Sequence, residues 1–403
     1  MGFLGLHRPK SGSGAELFRK PEQIAPRTIG FVVGAIALLF VVLRLLVAAD
    51  GDVSRFVVAG SLYTDAAKVQ PVIHVLDSPG YDGQFYWRLA TNPTELEIAE
   101  YRGVQFDAQF RVTRIAYPTL AWALSLGQAN WAKWSLVITN VLGMGVIGYV
   151  GAQLARNRGR PAILGATLAS SSGLVFSLSR DLCEVTLIAA LAAGVALMSR
   201  RHYMWAAGCW TVACLVHEQA LFCVVPYALY RLVSAMRRRE WSPTAQDLPW
   251  IVSLAAFGAW QLICRSVVGE FPVLSAKGGL DIPFMGLIEQ TKNWMQDGIG
   301  PVEALVVPQL ALLVALVVIA FRSTNSLQSD DQWLRWALIG AVGVTASLSH
   351  LVWVDPAALR QLVVLSTIAW LVIVMSGRRI PLALVGATAL VWVFTAAVRV
   401  VEI

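Results

Sequence analysis

The run GYDGQFYWRLATNP (residues 80–93) sets one carboxylate, Asp82, between Gly80 and Gly83, just ahead of the aromatic block Phe85, Tyr86 and Trp87. Glycine allows tight turns and close approach of another molecule. A carboxylate on such a pivot suits a general base that takes a proton from a bound hydroxyl. The plainer alternative is that Asp82 caps a helix starting near Gln84, with the aromatic rings as an anchor at a membrane surface. Tyr81, Gln84 and Arg88 flank the carboxylate and join it as candidate substrate-binding groups.

Further candidates follow downstream. FDAQFRVTRIAYPTLAWAL (106–124) carries Asp107 and places Arg111 and Arg114 three residues apart, on one face of a helix. Two guanidiniums there suit a lipid phosphate, or they are cations snorkelling at an interface. SRDLCEVT (179–186) holds Asp181 and Glu184, spaced to face one cavity, although Asp181 could equally cap the next helix. LVHEQALF (215–222) sets His217 and Glu218 between apolar runs, where ionisable groups are costly. The pair lacks the second histidine of a zinc protease. WVDPAALRQLVV (353–364) offers Asp355 and Arg360, Arg44 lies in the first apolar run, and Lys277 sits in the turn AKGGLDIP.

Composition says what must position these groups. Of 403 residues, 57% are hydrophobic and only 14% charged, and the mean hydropathy is +0.62. Soluble domains carry closer to a quarter charged residues, so this is a membrane protein. The five cysteines show no CxxC spacing, which indicates neither a zinc site nor a disulfide framework. The net charge of +7 comes from short basic clusters between apolar runs, with no nucleic-acid motif.

Apolar runs near 28–49, 131–154, 161–179, 182–199, 203–217, 218–236, 248–268, 303–321, 333–352, 359–376 and 381–399 predict about eleven spans. The expected architecture is an all-α, polytopic transmembrane helix bundle. Residues 1–27 form a basic tail and 28–403 a single domain, whose first outer loop (50–130) is partly helical. Basic clusters in the tail and at 156–160, 199–202, 236–240 and 376–380 all fall on one side if spans alternate, which makes that side cytoplasmic. The opposite face then receives the 50–130 loop, with nine acids, and the RDLCE, HEQ and DPAALR motifs.

GYDGQFYWRLATNP, Asp107, RVTRIAYPTLAWALSLG, RDLCE and HEQALF together resemble a bacterial family of polytopic proteins for cell-surface glycopolymer formation. Its usual motifs are GYDGQFYYRLALDP and YRxxRIxYPxLAW, and it looks like a branch of the GT-C glycosyltransferases. The likeness lies mainly within residues 78–222. It implies a multi-pass protein of the bacterial plasma membrane, with its site on the extracytoplasmic face. The expected chemistry is inverting sugar transfer from a polyprenyl-phosphate donor to a glycan, lipid or protein acceptor, with Asp82 as base. Tyr81, Gln84, Arg88, Arg111, Arg114, His217, Glu218, Arg360 and Arg44 would bind the donor and its phosphate. Asp107, Asp181 and Glu184 would position sugar or acceptor. Enzymes of this kind sometimes use a divalent metal, Mg or Mn. This chain has Asn92 where the family commonly has Asp, and HEQ where Arg/Lys-Glu-Thr is usual. Readings from other classes are a transporter or flippase of lipid-linked glycans, and a non-catalytic membrane scaffold.

Overall fold

The computed structural model describes residues 24–240, 242–275, 279–298, 303–354 and 358–402. Most of the basic tail, Lys277 and Asp355 lie outside them. Among the described residues the structure is all-α apart from a two-residue parallel pairing, Ala59–Gly60 with Val75–Leu76, and three isolated bridges.

Among the described residues, six helices are long and apolar enough to cross a membrane: Pro26–Val47, Ala129–Asn157, Glu218–Arg238, Ala245–Val268, Val306–Ser326 and Leu382–Val401. A bent pair, Ala162–Ala169 and Ser172–Ser179 at 55°, makes seven if it counts as one span. The expected eleven is therefore too many. Glu184–Ser199, Tyr203–Val216 and Val363–Met375 are apolar but only 16, 14 and 13 residues long. At 1.5 Å per residue they reach about 20–24 Å, short of the roughly 30 Å hydrocarbon core. Helix Val363–Met375 is buried almost throughout. Protein rather than lipid surrounds it, so an apolar run there reports interior packing as much as membrane contact.

Four of the five basic segments, the tail excepted, gather at one end. Arg158, Arg201, Arg231 and Arg238, from three parts of the chain, line a single crevice. Arg160 donates to the carbonyl of Arg378, which brings the 376–380 cluster to the same end. Glu184–Ser199 and Leu221–Arg238 run from that end to the motifs singled out above.

The 50–130 loop is a packed cap rather than an open excursion. Within it lie helices Gly83–Thr91 and Ala116–Ser125 and several shorter turns. Phe85, Tyr86 and Trp87 are all buried, so the aromatic block is core and not a surface anchor. Phe85 packs on Tyr63 and Phe106, and Tyr86 meets Tyr117 edge-on at 5.3 Å. Such ring pairs add to the area they bury, which draws the block inward.

Candidate functional site

Asp82 stands at the N-cap position of helix Gly83–Thr91, but its side chain accepts no bond from that helix. The carboxylate turns instead to three arginines. Oδ1 lies 2.7 Å from Arg111 Nη1, while Oδ2 lies 2.7 Å from Arg360 Nη1 and 3.5 Å from Arg114 Nη1. The capping alternative therefore fails, and the reason is electrostatic. An ionised, buried acceptor gains more from guanidiniums than from a backbone amide.

Each arginine holds a second acid. Arg111 forms a fork on Asp107, with both bonds 2.7 Å. Arg114 forks onto Glu218 at 2.7 and 3.2 Å, and also reaches the Tyr86 hydroxyl at 3.5 Å. Arg360 lies 3.7 Å from Glu184 Oε1. Rings flank the charges: Arg111 sits over Phe85 and Phe110, and Arg360 over Tyr81. Burial alone would raise the Asp82 pKa, but Arg111, Arg360 and Arg114 outweigh it and hold the carboxyl far below its usual range. It stays ionised, and in this arrangement it is a weak base.

The turn that delivers Asp82 needs its glycines. Gly80 has φ +71°, a left-handed conformation that favours glycine. A Cβ on Gly83 would lie 2.6 Å from the Val57 carbonyl oxygen and 2.7 Å from that of Arg180. The turn is thus wedged between the cap and the 179–184 hairpin. Gly83→Ala should force this wedge apart, costing about 1–3 kcal/mol of stability and cutting any activity that depends on Asp82. Thermal unfolding in detergent checks this against Gly208→Ala, where a Cβ meets nothing within 4 Å.

A cavity of about 520 Å³ opens beside the carboxylate. Tyr81, Asp82, Gln84, Asp107, Arg111 and Arg360 line it, together with Tyr63, Phe85 and Gln361. Gln84 also braces the turn, accepting from Gly60 N and Thr64 Oγ1 and donating to the Pro79 carbonyl.

Other sequence candidates lie elsewhere. Arg88 is fully buried, donates to the carbonyls of Val104 and Glu97, and packs over Phe106 at 3.8 Å. It staples the loop and does not line the cavity. Arg44 donates to the carbonyls of Ser179, Arg399 and Glu402, away from Asp82. Glu184 does not line the cavity beside Asp82, and neither does Asp181. Asp181 is fully buried near Arg44 with neither oxygen hydrogen-bonded, and burial pushes its carboxyl well up. Glu184 accepts from Ser177 Oγ. His217 is buried, and its Nδ1 accepts from the amide of Gln219. Burial and the Arg114 charge push it down to about 3, so the imidazole is neutral.

Sequence reasoning passed over Tyr86, Cys183 and Arg180. Tyr86 Oη and Cys183 Sγ are 3.1 Å apart behind Arg114. Arg180 lies over the rings of both Tyr81 and Phe176, at 4.7 and 5.0 Å. No ion pair to it is seen among the described residues. Its only sequence signal was a place beside Asp181.

Among the described residues, Cys183, Glu184 and His217 alone bring three metal-type donor atoms within 4.8 Å of one another. Mg and Mn favour several oxygen ligands, and this set offers one carboxylate. Asp82 is engaged by arginines, which would also repel a cation. With Nδ1 accepting a backbone hydrogen, His217 carries its proton on Nε2 and cannot ligate there. The residues do not fit Mg or Mn.

No protein family, curated protein or solved structure matches this chain.

Proposed function

We propose that this protein is a polyprenyl-phosphate-sugar-dependent glycosyltransferase of the GT-C type, acting on the extracytoplasmic side of a bacterial plasma membrane. The observation that carries this reading is a buried carboxylate at the wall of a 520 Å³ cavity, ringed by three arginines. That combination pairs a proton acceptor with cations able to stabilise a departing phosphate. The basic crevice at the other end of the bundle supports the orientation, since positive charge marks the cytoplasmic side.

In the reaction, Asp82 takes the proton of an acceptor hydroxyl. The acceptor oxygen forms its bond to the anomeric carbon as the bond from that carbon to the phosphate oxygen breaks, inverting the centre. The prenyl phosphate departs with the electron pair of the broken bond. Its negative charge competes with Asp82 for Arg111, Arg114 and Arg360, and each guanidinium drawn toward phosphate leaves Asp82 more basic. Arg180, which lacks an ion-pair partner among the described residues, adds positive charge near Tyr81. Asp107, Glu184 and Glu218 hold the arginines in place.

The test is direct. Purified protein in nanodiscs is given polyprenyl-phosphate sugars and candidate acceptors, and the anomeric configuration of the product is read by NMR. A retained configuration, or movement of lipid-linked glycan between leaflets with no transfer, would overturn the proposal. The second outcome would establish the flippase reading.

A further inference from the structure

The crevice at the basic end is built in a way that charge topology alone does not require. It encloses about 200 Å³ between the C-terminal turns of helices Ala129–Asn157, Glu184–Ser199 and Leu221–Arg238 and the 328–333 turn. Its walls are cross-braced. Arg231 forks onto Asp247 at 2.8 and 3.1 Å, and Arg158 pairs with Asp331. The hydroxyl of Tyr227 donates to the Gln246 carbonyl at 2.8 Å, and that of Tyr230 to the Ser329 carbonyl at 2.9 Å.

With those groups tied, Arg201 and Arg238 remain at the mouth with no ion pair among the described residues, beside the exposed acid Asp330. Two cations against one carboxylate leave an excess of positive charge. Arg201 has φ +63°, a left-handed conformation that is strained for arginine. Immediately after it, Met204 and Trp205 begin helix Tyr203–Val216 with 76% and 73% of their surface exposed, and Met236 is 49% exposed beside Arg238. Large apolar side chains so exposed suit contact with acyl chains.

We propose that this crevice binds the phosphate of an anionic phospholipid in the adjacent leaflet. Arg201 and Arg238 hold the phosphate through their positive charge. Tyr203 borders the headgroup, and Met204, Trp205 and Met236 lie along the acyl chains. Free phosphate shares the headgroup chemistry but has nothing to place against those three side chains.

The full-length protein, in detergent with phosphatidylglycerol or phosphatidylcholine added, is examined by native mass spectrometry for retained lipid. Phosphatidylglycerol should be retained in preference to phosphatidylcholine. Arg201→Gln with Arg238→Gln should weaken that retention roughly 30-fold, since each arginine near an anionic surface contributes about fivefold. Arg237→Gln, a neighbour that does not line the crevice, should leave it unchanged. Equal retention of both lipids, or retention unaffected by the double substitution, overturns the site. Displacement of phosphatidylglycerol by millimolar inorganic phosphate overturns the lipid as its occupant. If the double variant melts early, Arg201→Lys decides the matter. Retained charge should keep most of the binding, and its loss would mark a structural role. None of these readouts involves sugar transfer.

Discussion

If the proposed sugar transfer runs through Asp82, Asp82→Asn should yield a folded protein that transfers sugar roughly 100- to 10,000-fold slower, the usual contribution of a positioned general base. The amide keeps the shape of the carboxylate but cannot take the proton. Removing the charge also touches stability, because three guanidiniums lose a partner. Breaking a buried pair typically costs about 3–5 kcal/mol. The loss here should fall below that, since Asp107, Glu218 and Glu184 remain beside the same arginines. The pH dependence has a definite sign. The folded Asp82 carboxyl sits below its unfolded value, so its stabilisation is present above about pH 4 and fades as pH falls further. Melting curves from pH 6 down to 3 should therefore be steeper for the wild type than for Asp82→Asn. Wild-type turnover in the folded variant would remove Asp82 from the chemistry, and identical pH slopes would contradict the arginine cage.

The second large effect concerns the fork between Arg114 and Glu218. Glu218→Gln leaves a buried guanidinium whose remaining charged partner, Asp82, is 3.5 Å away, with the Tyr86 hydroxyl also at 3.5 Å, and should cost about 3 kcal/mol. Arg114→Gln should cost less, because the Glu218 side chain is 31% exposed and can hydrate. In a double-mutant cycle the two changes should couple by about 1–3 kcal/mol. Arg114→Lys should recover little of it, since an ammonium cannot form the fork. Unfolding in chaotrope measures the four proteins of the cycle and Arg114→Lys. Additive losses would mean that the pair does not act as a unit.

How much of this was legible differs residue by residue. Asp82 stood out because Gly80 and Gly83 bracket a charge in an apolar chain, and the structure gives both glycines a steric reason. Arg111 and Arg114 were picked out by spacing and do share a carboxylate, although the segment there is a short 3-10 turn, Gln109–Thr113, and not a regular helix. Arg88 looked just as plausible, beside the same aromatic block, yet serves carbonyls inside the loop. Local sequence cannot separate an arginine aimed at a cavity from one stapling a loop, because both need acceptors nearby. The span count erred for a related reason. Interior helices such as Val363–Met375 are apolar on every side whether they face lipid or protein.

By itself, the sequence determined the membrane class, the helical architecture and the gathering of basic segments, because these follow from composition and from local runs. It also marked Asp82 as unusual. Tertiary structure alone decided what Asp82 meets. Arg360 lies 278 residues away in the chain, and Glu218 reaches Arg114 across 104. Such pairings are set by how helices pack, and no period or spacing in a single chain encodes them. The depth of burial that turns four carboxylates and three arginines into a preorganised site belongs to the same packing.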